Sequence, residues 1–84
     1  MTASVFGPLY LRDVAALPRD LRERVAEIVR DIERNPKPDG IYKRAFPPPF
    51  RPGTIVATAH GLAVRYSIEP DGLYFYRVQI VDGS

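Results

Sequence analysis

The sequence predicts an α+β domain: an antiparallel helix hairpin packed on one face of a three- to four-stranded antiparallel sheet. Three observations carry this. Residues 20–34 repeat apolar side chains at helical spacing. Residues 54–81 contain three runs that alternate apolar and polar side chains at strand spacing. The helical half precedes the strand half, an order that packs helices on one side of a meander. A chain of 84 residues makes a single domain, residues 1–84.

Residues 3–7 are a candidate N-terminal strand, short and only partly β-prone. A helix is expected over residues 8–17, with Pro8 in its first turn and Leu11, Val14 and Leu17 facing a second helix. The Leu17-Pro18-Arg19 link is short enough to fold the two helices back on each other. The second helix is the clearest element. Leu21, Val25, Ile28 and Ile32 form one stripe, and Asp20 and Arg24 lie four apart on the outer face. Asp20 near its start and Arg30 and Arg34 near its end suit the helix dipole. Asn35-Pro36 ends it, because a residue before proline is pushed out of the helical region.

Residues 35–53 are rich in proline and glycine and read as a long loop, with a local strand around Ile41–Ala45. The run Phe46-Pro47-Pro48-Pro49-Phe50 should be extended polyproline II, either a docking strip or a stiff connector. The three strands follow at residues 54–59, 62–69 and 73–81. His60-Gly61 suits a type I′ turn, and Pro70-Asp71-Gly72 a three-residue loop.

These loops set a register. Around His60-Gly61, Ile55 opposes Tyr66, and Val56 opposes Arg65. Around residues 70–72, Ile68 opposes Tyr74, Tyr66 opposes Tyr76, Val64 opposes Val78 and Leu62 opposes Ile80, all on the face under the helices. The other face pairs Ser67 with Phe75, Arg65 with Arg77, and Ala63 with Gln79. Like charges directly opposite cost about 0.2–1 kcal/mol. Two guanidiniums side by side suit phosphate, which they can grip bidentately, and Phe75 beside Arg77 could stack a base. The alternative is that both arginines splay to solvent or reach acids elsewhere in the fold.

Composition narrows the function. The absence of cysteine excludes disulfides and thiolate metal sites. No run approaches the roughly 20 apolar residues of a membrane-spanning helix. Arg12 and Asp13 interrupt the apolar start, so no signal peptide is expected and the expected location is cytoplasmic. Net charge is +2, all of it carried by residues 36–84. Lys43, Arg44 and Arg51 lie there without adjacent acids, which favours an anionic partner. His60, the only histidine, is a candidate for proton transfer, although a lone turn histidine is more often a solvated polar residue.

The helix hairpin, the Asn35-Pro36 stop, the basic loop and the meander pattern Gly61, Tyr66, Ile68 together resemble the RelE/ParE superfamily of toxin–antitoxin toxins. The resemblance spans nearly the whole chain and implies a β-α-α-β-β-β fold. RelE-like members cleave mRNA in the ribosomal A site, ParE-like members inhibit DNA gyrase, and an antitoxin wraps and neutralises either kind. It therefore implies a toxin whose partners are a cognate antitoxin and the ribosome with its mRNA, with no cofactor. In that reading Arg65 and Arg77 grip the scissile phosphate, His60 assists proton transfer, and Lys43, Arg44 and Arg51 contact the RNA backbone. RelE-type basic residues before the glycine turn fall here at Thr54 and Val56, and the arginine expected two residues after Gly61 is Ala63, with Arg65 two further on. The C-terminal arginine and tyrosine or histidine give way to Asp82-Gly83-Ser84. The resemblance therefore also implies an alternative: a gyrase inhibitor, or a noncatalytic toxin-fold binding protein.

Overall fold

The computed structural model describes residues 3–45 and 53–81. The proline run 46–50, Arg51 and the end at residues 82–84 lie outside the described residues. The elements are β1 (Ala3–Phe6), α1 (Pro8–Ala15), α2 (Arg19–Arg34), β2 (Lys43–Ala45), β3 (Thr54–Ala59), β4 (Leu62–Glu69) and β5 (Gly72–Ile80). They form an α+β fold with two helices packed on a five-stranded sheet of order β1-β5-β4-β3-β2.

The sheet is mixed rather than antiparallel. The three meander strands and β2 run antiparallel, but β1 pairs in parallel with β5, Ala3 against Gly72 through Phe6 against Phe75. A parallel neighbour requires a crossover, and α1 and α2 supply it. Gly72 makes that pairing possible, since a Cβ there would run into the backbone of Ala3. Gly72 is thus required both for close backbone approach and for its positive φ of 152°, while the turn itself is Pro70-Asp71.

The α2 stripe is as expected, with Val25, Ile28 and Ile32 buried, and Val29 joins it. Arg24 pairs with Glu27 at 3.3 Å instead of with Asp20. In α1 the buried residue is Tyr10, with Val14 and Leu17 packed behind it, while Leu11 is 56% exposed. Positions 10, 14 and 17 lie on one helical stripe that Leu11 leaves by about 100°. This helix packs chiefly along β5.

The β3–β4 hairpin has the expected register throughout, with His60 (φ 55°) and Gly61 (φ 73°) both left-handed as a type I′ turn requires. In the β4–β5 hairpin, the expected pairs hold from Leu62–Ile80 to Arg65–Arg77. Beyond that point the register shifts by one: Tyr66 opposes Phe75, Ser67 opposes Tyr74, Ile68 opposes Leu73 and Glu69 opposes Gly72. Tyr76 is the extra residue of a β-bulge, and the turn is only Pro70-Asp71. The bulge turns Leu73 and Phe75 into the core and leaves Tyr74 and Tyr76 half-buried on the other face. The physical gain is plain: two phenol hydroxyls stay near water, while a phenylalanine without polar atoms takes the buried place. Burying Phe75 and Leu73 stabilises the fold by about 1.5–3 kcal/mol each.

Candidate functional site

The face of the sheet away from the helices carries the arginines. One row of cross-strand partners runs Arg44, Val56, Arg65, Arg77 across β2, β3, β4 and β5. Arg65 and Arg77 are directly opposed, as the sequence predicts, but their environments differ.

Arg77 is held by an acid from another element. Its Nε and Nη2 donate to the two carboxylate oxygens of Asp13 at 2.9 and 3.2 Å. The same carboxylate accepts the backbone N–H of Val78 at 2.9 Å. β1 ends at Phe6, so on that side β5 has no strand neighbour beyond Phe75, and α1 brings Asp13 against the uncovered edge. The Arg77 guanidinium, helped by the Val78 N–H, holds the Asp13 carboxyl below the usual carboxylate range, and Asp13 raises Arg77 in return.

Arg65 has no such partner. Its Nε is buried and unbonded, singular in this among the buried side-chain polar atoms of the described residues. An unmade bond at a buried charged donor costs more than at a neutral one, and among the described residues no carboxylate is paired with this guanidinium, which leaves its charge to the clefts that Arg65 lines. Arg65 is also the wall between two clefts. One, of about 380 Å³, is lined by Gly7 and Pro8 at the start of α1, Thr54, Tyr74, Tyr76 and Arg77. The other, of about 590 Å³, is lined by Arg44, Val56, Thr58, Ala63 and Gln79 among others. Arg44 is exposed and reaches the second cleft.

Two tyrosines furnish the first cleft. Their rings lie 4.7 Å apart and tilted by 58°. Gly7 leaves room for Tyr74, whose hydroxyl would meet a Cβ at that position at 2.5 Å. The Tyr76 hydroxyl lies 3.1 Å from Ser67 Oγ, which donates to Glu69 Oε1 at 2.7 Å. The cleft thus combines a guanidinium lacking a full set of partners, two aromatic faces and a hydrogen-bonded hydroxyl chain.

The other expected site residues fall elsewhere. Phe75 is fully buried and stacks on Phe6 at 5.1 Å, so it cannot meet a base; the bulge is the reason. Lys43 is 5% exposed, donates to the Asn35 carbonyl at 2.7 Å and pairs with Asp31 at 3.0 Å. It is a cation at the C-terminus of α2, where the helix dipole favours it, and it is not available to a nucleic-acid backbone. His60 lies at the β3–β4 turn, 4.0 Å from Glu27 of α2. It lies five positions before Arg65, up to about 17 Å at strand rise, and contacts α2 at the end of the hairpin, so it is not brought to the arginines. Arg51 lies outside the described residues.

Asp13, Tyr74, Tyr76, Ser67 and Glu69 were not among the expected site residues. Asp13 lies 64 positions from Arg77 and leaves no local signal. The bulge had one available signal: a uniform register buries two tyrosine hydroxyls. No group of three or more His, Cys, Asp or Glu side chains placed to hold a metal occurs among the described residues.

No protein-family model matches the chain, and no curated protein matches it. Solved structures do share its fold. A chain of the RelBE2 toxin–antitoxin complex from Mycobacterium tuberculosis superposes with a TM-score of 0.81 at 21% identity, covering 94% of this chain and 96% of that one. A chain of the RelB–RelE antitoxin–toxin complex from Methanococcus jannaschii gives 0.64 at 13% identity, covering 90% and 88%. At these identities the likeness is one of fold.

Proposed function

We propose that this chain is the toxin of a toxin–antitoxin pair and acts in the cytoplasm by cleaving mRNA on the ribosome. The observation that carries the reading is Arg65: a buried, unbonded guanidinium nitrogen beside two tyrosines in an open cleft. A guanidinium matches a phosphodiester, and the tyrosine faces match an unstacked base. The resemblance of the sequence to RelE-like toxins and the fold shared with chains of RelB–RelE complexes support the same reading. An antitoxin would cover apolar side chains along β1 and α1, where Val5, Leu9 and Leu11 are each about half exposed.

The test is primer extension on an mRNA translated in a purified system. The reading expects new breaks with the wild-type chain and at least about 100-fold fewer with Arg65→Ala, the scale on which single charge-stabilising donors act. An intact message with the wild-type chain, or equal cleavage by the variant, overturns it.

One observation favours a second reading. Asp13 occupies Arg77, so a two-arginine phosphate grip is not available without breaking that pair. A noncatalytic protein that holds gyrase or only its antitoxin needs no such grip. Inhibition of DNA supercoiling, with mRNA left whole, would identify the gyrase form.

A further inference from the structure

We propose that Tyr76, Ser67 and Glu69 form a proton relay that activates the attacking 2′-hydroxyl of bound RNA, an inference that rests on the RNA-cleavage reading above. Ser67 Oγ donates its single proton to Glu69 Oε1 at 2.7 Å. In the 3.1 Å contact between Ser67 and Tyr76 the proton must therefore come from Tyr76. The Tyr76 oxygen is left with its lone pairs as acceptors, in the cleft it lines with Arg65 and Arg77. Ser67 is 4% exposed, so the middle of the chain is shielded from water and protons pass between side chains. The chain ends on a carboxylate, which can take a proton where a neutral phenol alone cannot.

The step balances as follows. The 2′-hydroxyl proton moves to the Tyr76 oxygen, the Tyr76 proton to Ser67 Oγ, and the Ser67 proton to Glu69. The freed electron pair on the 2′-oxygen forms the new bond to phosphorus. The bond from phosphorus to the 5′-oxygen breaks, and its pair stays on that oxygen, which takes a proton from water. The hydroxide left behind is neutralised by the proton that Glu69 then releases. The products are a 2′,3′-cyclic phosphate and a 5′-hydroxyl, with the protein unchanged. Arg65 faces the charge that develops on the phosphate oxygens. Tyr76 would be the catalytic residue, and Ser67 and Glu69 positioning and proton-accepting residues behind it.

The experiment is single-turnover cleavage of a short mRNA on programmed ribosomes at several pH values, using the purified chain. Tyr76→Phe should lower the rate at saturating protein by about 10²–10⁴-fold, the range of general acid–base catalysis, while half-saturation moves less than about twofold. Glu69→Gln should flatten the rise of rate with pH, and Ser67→Thr, which keeps the hydroxyl, should restore most of what Ser67→Ala loses. A message with a 2′-deoxy sugar at the scissile nucleotide should stay whole. Melting curves that coincide with wild type exclude unfolding as the cause, and Glu69→Gln, on a part-exposed side chain, serves if Tyr76→Phe melts early. Wild-type cleavage with equal rates and equal pH profiles in the variants overturns the relay and leaves the RNA-cleavage reading standing. No cleavage by the wild-type chain overturns both.

Discussion

Asp13 holds Arg77 by two hydrogen bonds, at 2.9 and 3.2 Å, across 64 positions of sequence. This pair separates two arginines that the strand register places side by side. Arg77 becomes part of the scaffold, tying α1 to the edge of β5. Arg65, directly opposite, keeps a buried nitrogen without a partner. The two should therefore answer differently to the same substitution.

Arg77→Ala and Asp13→Ala should each lower the melting temperature, since either change breaks the two hydrogen bonds of the pair, and Asp13→Ala also leaves the Val78 N–H without its acceptor. Arg65→Ala should leave stability within about 1 kcal/mol, because it removes an unmade bond along with a charge. Thermal melting of the three variants is the check. Equal losses for all three would contradict the asymmetry.

The Asp13 carboxyl sits below its ordinary range in the folded protein, chiefly through its hydrogen bonds to Arg77. Its folded value is depressed, so its contribution is fully present above the ordinary carboxylate value and is lost as pH falls through the lowered one. Urea unfolding between pH 7 and pH 2 should show a drop in stability on the acid side, and Asp13→Asn should reduce its size. An unchanged acid limb in Asp13→Asn would mean that other carboxylates carry it; Asp39, whose carboxylate accepts backbone N–H groups from Lys43, Ile41 and Tyr42, is the next to examine.

The bulge at Tyr76 makes its own prediction. Phe75→Ala should cost about 3–5 kcal/mol, as removal of a buried aromatic does, whereas Tyr76→Phe should cost less than about 1 kcal/mol. A uniform register would reverse the order, with Phe75 on the open face. Denaturant midpoints of the two variants decide between them.

Gly72→Ala should be harmful for two reasons: Gly72 holds a positive φ of 152°, which an alanine adopts only with strain, and the backbone of Ala3 lies against it. The new methyl would meet the Ala3 backbone, so β1 must shift away from β5. The loss should exceed about 1 kcal/mol, because Gly→Ala at a positive φ destabilises by more than it gains at a compatible site, and hydrogen exchange should show early loss of protection at Val5 and Gly7. Protection equal to wild type at those amides would refute the close-approach account.

Much of the fold was legible because it rests on local patterns. The α2 stripe, the His60-Gly61 turn and the alternation in β3 and β4 each declare themselves within a few residues. The parallel β1–β5 pairing was not legible, because it joins segments 69 positions apart and leaves its mark only in Gly72, which reads equally well as a turn residue. The pairing of Arg65 with Arg77 followed from turn lengths, and it survived a wrong loop assignment only because a one-residue bulge compensated for it. That same bulge exchanged Phe75 for Tyr74 and Tyr76 on the open face. Lys43 looked free because Asn35 and Asp31, which hold it, belong to the end of α2 rather than to its own neighbourhood. Long-range ion pairs of this kind carry no periodic signal.

The most direct measurement of the central claim is bacterial growth after induction of the wild-type chain and of Arg65→Ala, at matched protein levels and with matched melting temperatures. The account predicts arrest with wild type, relief of arrest with Arg65→Ala, and rescue of the wild-type culture by a co-expressed antitoxin. Equal growth with both chains, or equal arrest with both, would contradict the assignment of function to the Arg65 cleft.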